Sequence, residues 1–542
     1  MRLALASLAA AFVLALPGAA AAQGQIIIVN TNAAGVGFND PTPAAPVGGN
    51  PGTTLGQQRL AVFEHAANLW EAKLGPRADI FVTARFIPLG AGVLGSAGAT
   101  FVFRNFPGAE LPDTWYPSSL ADHLAGGDLN PGFADINCSF SSTFAFYLGL
   151  DNNENGAAGQ NDLLAVVLHE LGHGLGFANF VNESTGTLLA GGKDVYSQYT
   201  VDVTTGQPWN DMTDAERAAS AVNVRKVSWS GLAVNREVPH VLLPGEPFGQ
   251  IEPGPGFVAV GAAAFGPALG TALSGQVAAA VDAGGASTLD GCEPIVSDVA
   301  GKIALLDRGT CTFVIKVKNA QNAGAIAVLV ADNAPGNPPA GLGGADPTIV
   351  IPSVRIAIEV GASTRAALAN GPVTATLGVD NSILAGTDRV QGLMMLAAFN
   401  PVVGGSSISH FESVAFPNQL MEPAINFDLT SSLDPPLDLT SSQMTDIGWF
   451  SDGDGVPDGA DACLGSNTAP TVVIAACDSG VDNLVLADGC TVSDRVVACF
   501  AGASNHGGAV SCVSGVTNAL KKAGLITGEQ QGAIQSCAAQ AP

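Results

Sequence analysis

Apolar and polar positions alternate along the first part of the chain in ways that distinguish strands from helices. The runs 25–30 and 79–89 read as strands, because apolar residues are continuous in the first run and alternate with polar ones in the second. Residues 57–74 repeat apolar side chains at helical spacing, and Gly75 ends that helix. Residues 140–151 predict a further strand. This mixture predicts an α+β domain.

A second helix is predicted over residues 162–176, with Asn161 or Asp162 as its N-cap. It carries His169 and His173 four positions apart, so that both imidazoles leave one helix face and can reach one Zn²⁺ at about 2.0–2.1 Å. Glu170 stands between them, placed to act as a general base toward water. The alternative is a buried helix with two incidental histidines. Because the chain has only 7 histidines, the pattern favours a zinc site.

The first residues predict export from the cell. Arg2 precedes an apolar, alanine-rich run from Leu3 to Leu16, and Ala20–Ala22 offers a cleavage site, so residues 1–22 are typical of a signal peptide. No later segment has about 20 uninterrupted apolar residues, and we expect no integral membrane segment in the mature chain. The predicted location is secreted or periplasmic.

Cysteine usage fits an oxidising compartment. The chain has 9 cysteines, and the odd number leaves one unpaired, for which the isolated Cys138 is the natural candidate. Cys292 and Cys311 lie close together, and the other six fall between Cys463 and Cys537. This last group predicts a small disulfide-stapled tail over residues 464–542, with its connectivity open.

The balance of charge excludes one class of partner. The formal net charge is −26, and no cluster of Lys and Arg occurs anywhere in the chain. Binding to phosphates requires such clusters, so we expect no nucleic-acid partner.

The stretch HELGHGLGF, residues 169–177, resembles the metzincin zinc peptidases. Their motif continues to a third zinc ligand, but the matching position here holds Asn179, a poor ligand for zinc. The leishmanolysin-like branch departs in the same way and takes its third histidine from far downstream, shortly before a methionine. The segment 404–426 has this arrangement, with His410 and Met421. The resemblance covers residues 25–240 and 385–450.

By this resemblance His410 is the third zinc ligand and Met421 forms a hydrophobic floor beneath the metal. Three rivals for the third ligand stay open at this point, namely Asn179, Asp194 and His240. Asp194 is the strongest rival, because carboxylates also ligate zinc.

Between the two halves the composition shifts to Gly, Ala and Val, and residues 301–333 predict a strand, a helix and a second strand. This unit resembles a protease-associated (PA) domain, which we place at residues 241–383. The resemblance implies a disulfide between Cys292 and Cys311 and an accessory role in substrate access or docking. The alternative is a structural spacer.

An acidic loop at residues 451–463 resembles a thrombospondin type 3 repeat. Its aspartates alternate with glycines, as suits the loose oxygen coordination of Ca²⁺. We expect Ca²⁺ as a second metal there, the alternative being an Asp/Gly linker. The aspartates are Asp452, Asp454, Asp458 and Asp461.

The predicted fold is therefore α+β, a metzincin-like catalytic domain in two parts interrupted by an α/β PA domain and followed by a disulfide-rich tail. Its catalytic parts are residues 23–240 and 384–450. The expected function is a secreted zinc endopeptidase, with Glu170 as general base and proteins or peptides as substrates. Two alternatives are a catalytically silent scaffold that binds a partner through its PA domain, and a zinc hydrolase acting on other substrates.

Overall fold

The computed structural model describes residues 24–151, 160–270, 272–426, 428–450, 462–463, 465–475 and 477–541. The expected signal peptide and the aspartates of the acidic loop, Asp452, Asp454, Asp458 and Asp461, lie outside these ranges. Within them the chain is a mixed α and β structure with disulfide bonds. None of the helices in these ranges has both the length and the apolar character needed to cross a membrane.

Within the described ranges, the N-terminal part of the chain combines small sheets with five helices. The strands are β1 (Ile26–Asn30), β2 (Ile80–Ile87), β3 (Gly95–Ala99), β4 (Val102–Phe103), β5 (Thr114–Pro117), β6 (Ile136–Ser141), β7 (Phe146–Tyr147), β8 (Asn161–Asp162), β9 (Lys193–Asp194), β10 (Thr200–Asp202), β11 (Gln207–Pro208) and β12 (Val227–Trp229). The helices are α1 (Leu55–Leu74), α2 (Ser118–Ala125), α3 (Leu163–Leu175), α4 (Asp214–Ser220) and α5 (Leu232–Val241). Short 3-10 helices lie at Gly37–Asn39, Leu189–Gly191 and Trp209–Asp211. The main sheet has the order β1-β2-β6-β3, in which only β3 runs antiparallel to its neighbour.

The predicted strands at 25–30 and 79–89 and the helix ending at Gly75 are confirmed as β1, β2 and α1. Gly75 adopts the left-handed conformation, with φ 54°, that ends a helix most readily at glycine. The strand predicted over residues 140–151 is wrong in its span. The strand β6 begins at Ile136, where the alternation of buried residues begins, and it ends already at Ser141. Only the two-residue β7 lies further on.

Helix α3 is buried along its whole length. The Asp162 side chain caps it by accepting a hydrogen bond from the Leu164 N–H at 3.0 Å, which confirms the predicted N-cap. The indole N–H of Trp70 on α1 donates to the Leu168 carbonyl at 3.1 Å. Because α3 packs between α1 and the main sheet, its orientation is set by the core.

Residues 244–384 form an eight-stranded mixed sheet with an apolar core on each face. The strands are β13 (Pro244–Glu252), β14 (Gly256–Val258), β15 (Gly261–Ala262), β16 (Leu273–Ala279), β17 (Ile303–Asp307), β18 (Ala327–Ala331), β19 (Ser353–Ile356) and β20 (Thr374–Leu384), and the helices are α6 (Phe313–Asn322) and α7 (Ile358–Asn370). Strands β16 to β19 are parallel and central. The strand–helix–strand unit predicted over residues 301–333 is present as β17, α6 and β18. A disulfide joins Cys292 to Cys311.

After the eight-stranded sheet, the chain packs again against the apolar core of the N-terminal part. Residues that precede the eight-stranded sheet in the chain and residues that follow it form one apolar cluster. Helix α8 (Thr440–Asp446) contributes to this cluster. The Trp229 indole N–H donates to Asp446 at 2.7 Å, and the Trp449 indole N–H donates to the Leu175 carbonyl at 2.9 Å. The segments that come before and after the eight-stranded sheet in the sequence therefore belong to one folded body.

The tail has its own core around a β-hairpin and three helices. Its elements are β21 (Thr471–Ile474), β22 (Cys477–Asp482), α9 (Val492–Gly502), α10 (His506–Lys522) and α11 (Gly528–Gln540). The disulfides there are Cys463–Cys490, Cys477–Cys537 and Cys499–Cys512. Cys138 is a free, buried thiol, as the odd number of cysteines predicted.

Candidate metal centre

Three buried imidazoles converge at the C-terminal half of α3. His169 and His173 come from that helix, and His410 comes from an irregular segment after the eight-stranded sheet. Their Nε2 atoms form a triangle with sides of 3.1 Å between His169 and His173, and 3.2 Å from each of these to His410. The structure thus brings together residues that are 241 positions apart in the chain.

The second nitrogen of each imidazole shows which tautomer is present. The Nδ1 atom of His169 lies 2.7 Å from the carbonyl oxygen of Leu420. The Nδ1 atom of His173 lies 2.8 Å from the carbonyl oxygen of Phe177, and the Nδ1 atom of His410 lies 3.0 Å from that of Ser406. Since a carbonyl oxygen only accepts hydrogen bonds, each Nδ1 carries the proton and each Nε2 keeps its lone pair. Three lone pairs therefore face one point.

This triangle fits a tetrahedral zinc ion. Two nitrogens bound to zinc at about 2.0–2.1 Å are separated by about 3.3–3.4 Å, close to the observed sides. Without a cation the three lone pairs would repel one another, because no Nε2 has a proton to share with its neighbour. Hydrogen bonds from Nδ1 to backbone carbonyls are the usual outer partners of zinc-bound histidines. The donor set and its surroundings thus suit Zn²⁺.

Burial keeps the three imidazoles neutral. Desolvation lowers the pKa of His169 to about 4. For His173, desolvation and the neighbouring His169 together lower the pKa to about 3, and the same kinds of effect hold the pKa of His410 well below its usual range. Neutral imidazole is the form that binds a metal, so all three are ready to do so at neutral pH.

Glu170 lies between α3 and the edge strand β3. A Cβ built on Gly95 would lie 2.7 Å from Glu170 Cγ and Oε1, so the glycine leaves room for the carboxylate. Burial raises the pKa of Glu170 to about 8, against the smaller lowering effect of a backbone hydrogen bond from Ala97. A divalent cation at the three histidines would draw this pKa back toward its ordinary value. The Glu170 carboxyl group thus lies between β3 and α3, the helix that also carries His169 and His173.

Met421 is fully buried beneath α3. A Cβ built on Gly172 would lie 2.8 Å from the Met421 sulfur, so the methionine packs directly on the helix backbone between the two histidines. Its carbonyl accepts from the Phe411 N–H at 2.8 Å, which ties the methionine to the residue after His410. The Met421 side chain thus packs on the helix that carries His169 and His173, and its role as a hydrophobic floor stays a prediction.

The three rival ligands lie in other surroundings. Asp194 is buried and accepts from the Ser197 N–H at 2.7 Å and hydroxyl at 2.8 Å. His240 is exposed, and its Nδ1 lies 3.3 Å from a carboxylate oxygen of Glu237. Among the described residues, the group of metal-binding side chains at this centre is His169, His173 and His410.

Asn179 has a structural task that its sequence position did not reveal. Its backbone N–H and its side-chain amide both donate to the Ser409 hydroxyl oxygen, at 3.1 and 3.0 Å. The residue at the usual position of a third ligand therefore anchors the residue that precedes His410. Neither this link nor the three carbonyl partners of the histidines has a signal in the sequence, because they depend on the path of irregular backbone.

Comparison with known families identifies part of the chain. Residues 268–364 match the family of the PA domain. They lie within the eight-stranded sheet, where the strand–helix–strand unit had suggested this family.

Curated relatives align over short stretches. The chain is 31% identical over 127 residues to Probable lipoprotein aminopeptidase LpqL of Mycobacterium tuberculosis, an alignment covering 23% of this chain and 24% of the relative. It is 37% identical over 89 residues to Probable leucine aminopeptidase 2 of Aspergillus fumigatus, covering 16% of this chain and 18% of the relative. The chain thus spans a quarter or less of each, in stretches about as long as the PA segment.

Among solved structures, a zinc aminopeptidase of Bacillus subtilis is 25% identical and covers 28% of this chain and 36% of its own, with a TM-score of 0.19. That score is too low to indicate a common overall fold. Taken together, the fold and the comparisons identify residues 268–364 as a PA domain.

Proposed function

We propose that the protein is a zinc-dependent peptidase whose metal is held by His169, His173 and His410, with Glu170 as its general base. The observation that carries the proposal is the triangle of three unprotonated Nε2 atoms, each fixed by a hydrogen bond from Nδ1 to a carbonyl. The arrival of the third histidine from beyond an inserted domain, followed by the buried Met421, supports a leishmanolysin-like arrangement of the site.

Glu170 performs the proton transfers in this proposal. Zn²⁺, when bound, supplies a Lewis acid that polarises the scissile carbonyl and lowers the pKa of water. The Glu170 carboxylate accepts a proton from the attacking water and then returns it to the leaving amine. Its intact carboxylate argues against the alternative of a silent scaffold, which would have no need of a buried acid beside the metal centre.

The surroundings of Glu170 favour an extended peptide as the substrate. Strand β3 lies at the edge of the main sheet, beside α3 and the Glu170 side chain. An edge strand offers backbone N–H and C=O groups to which a peptide can add as a further strand. Such pairing holds the middle of a peptide and makes no use of its terminus, so we propose an endopeptidase.

A second candidate function is aminopeptidase activity. It is favoured by the names of both curated relatives, which are called aminopeptidases. Their alignments are about as long as the PA segment, and a PA domain is an accessory unit. We therefore rank endopeptidase activity first.

The decisive experiment on the metal site is the zinc content of purified protein, compared between wild type, His410→Ala and a control, His240→Ala. We expect about one zinc per chain in the wild type and in the control, because His240 is an exposed side chain that contacts Glu237 and does not belong to the group of three histidines. His410→Ala should lose most of its zinc. Full retention of zinc by His410→Ala would refute the proposed ligand set.

The type of activity is tested with two substrates. An internally quenched peptide with an acetylated N-terminus reports endopeptidase activity, whereas an amino-acid anilide with a free amine reports aminopeptidase activity. We expect cleavage of the blocked peptide, its loss on treatment with a zinc chelator, and a fall of at least about 100-fold in kcat for Glu170→Gln with zinc retained. Cleavage of the anilide alone would establish the aminopeptidase instead.

A further inference from the structure

A second group of carboxylates lies in the PA domain, in the loop that follows β16. One oxygen each from Asp282, Asp290 and Glu293 lies within 4.8 Å of the others. Asp282 and Asp290 are each only 2% exposed. The loop folds back on itself, since the Asp282 N–H donates to the Thr288 carbonyl at 2.9 Å. The disulfide at Cys292 joins the same loop to the start of α6.

Two oxygens of this group are buried with no hydrogen-bond partner among the described residues, Oδ2 of Asp282 and Oε2 of Glu293. The other Asp282 oxygen accepts from the Gly284 N–H at 3.2 Å. A Cβ on Gly285 would lie 2.5 Å from both Glu293 carboxylate oxygens, so this carboxylate packs directly on the loop backbone. A buried, unpaired carboxylate oxygen is strongly unfavourable unless a cation or a proton compensates it.

Among the residues that the structure describes, Lys316 is the cation that contacts this group, and its single charge is insufficient. Lys316 on α6 is fully buried, and its ammonium donates to the Asp290 carbonyl at 2.5 Å and lies 4.0 Å from Asp290 Oδ2. One ammonium faces three carboxylates, which leaves a deficit of two positive charges. A divalent cation would remove that deficit.

We propose that Asp282, Asp290 and Glu293 bind a calcium ion that stabilises the PA domain. The donor set consists of carboxylate oxygens, which hard divalent cations prefer. Three carboxylates this close together can share one Ca²⁺, whose coordination geometry is loose. This site uses other residues than the acidic sequence 451–463 and does not depend on the proposed peptidase activity.

The test is calcium binding by the full chain, loaded with zinc and freed of other metals, measured by equilibrium dialysis with radioactive calcium. We compare wild type with the variant Asp282→Asn/Glu293→Gln. The control is Asp454→Asn/Asp458→Asn, which alters the acidic loop by the same chemical change. The first variant should lose one calcium per chain and the calcium-dependent rise in Tm. The control should keep that calcium and that rise in Tm, even where it loses a second calcium held by the acidic loop. Unchanged binding in the first variant, or complete loss in the control, would overturn the proposal.

A third variant, Lys316→Met, shows whether the three carboxylates bind a metal or only neutralise the charge of Lys316. It can be measured even if the double variant fails to fold. If the carboxylates bind calcium, removal of the competing ammonium should tighten binding at least about 10-fold. If they only neutralise Lys316, calcium affinity will not change, and the proposal is wrong.

Discussion

Gly174 lies directly after His173 on α3, and its replacement by alanine tests how tightly this helix packs. A Cβ at Gly174 would lie 2.4 Å from Ile136 Cγ2, 2.8 Å from Cδ1 and 2.9 Å from Cγ1. Ile136 is fully buried in β6 and β-branched, so its side chain has little freedom to move away. The new methyl group therefore forces either the helix or the sheet to shift.

The magnitude follows from two opposing effects. Alanine in place of glycine inside a helix stabilises by about 0.5–1 kcal/mol. Overpacking of a core costs about 1–3 kcal/mol, and three contacts below 3 Å place this site in the upper part of that range. We expect Gly174→Ala to lower the free energy of unfolding by about 1–2 kcal/mol.

The assay is urea unfolding followed by tryptophan fluorescence. All 5 tryptophans of the chain lie outside the PA domain and the tail, so the signal reports on the body that holds the histidines. They are Trp70, Trp115, Trp209, Trp229 and Trp449.

Two further variants make the result interpretable. Gly98→Ala adds the same methyl group on β3, where nothing lies within 4 Å of the new Cβ, and should be neutral or stabilising by up to about 1 kcal/mol. Ile136→Ala should itself cost about 2–5 kcal/mol, but in that background Gly174→Ala should become stabilising. If Gly174→Ala stabilises the otherwise wild-type protein, the packing described for α3 is incorrect.

Three other predictions concern single side chains. Ser409→Ala removes the acceptor for both Asn179 donors and should weaken zinc binding about 10-fold in a competition titration with a chelator, whereas Ser406→Ala keeps its backbone carbonyl and should not. Burial raises the pKa of Asp446 to about 7, above its usual value of 3.8, so its contribution to stability is present below pH 4 and is lost as the pH rises through 7. In the wild type this effect lowers the free energy of unfolding as the pH rises from 4 to 7. Asp446→Asn should make this decrease less steep by up to about 1.4 kcal/mol per pH unit, and an unchanged slope would contradict the raised pKa of Asp446. The Cys138 thiol, whose pKa is raised by burial, should react with a disulfide reagent only as fast as the protein unfolds, and rapid labelling of the native protein would contradict its burial.

The elements that the sequence predicted well are those in which local signals agree. In α3 the apolar spacing, the Asp162 cap and the two histidines all indicate one helix, and the helix is there. The β17–α6–β18 unit has uninterrupted apolar strands and a glycine at the end of the helix, which is an equally consistent pattern. Where signals compete, as around residues 140–151, the prediction placed the strand too far along the chain, since the buried alternation of Ile136, Cys138 and Phe140 decides its position.

The parts that were not predicted depend on contacts across long distances. The carbonyls of Ser406 and Leu420 reach the histidines only because two irregular segments pack against α3. No residue type is required at either position, so no sequence pattern marks them. The approach of Asp282 to Glu293 is equally invisible, because it depends on the fold of one loop in the PA domain.

The separation of His169 from His410 by 241 residues has a consequence for the timing of synthesis. At about 5–20 residues per second, the third histidine emerges roughly 12–50 s after the first. During that interval the nascent chain holds only the two helical histidines, a pair that leaves one corner of the triangle open. The insertion between them therefore acts as a delay, and the proposed metal centre can be completed only after the whole PA domain has been made.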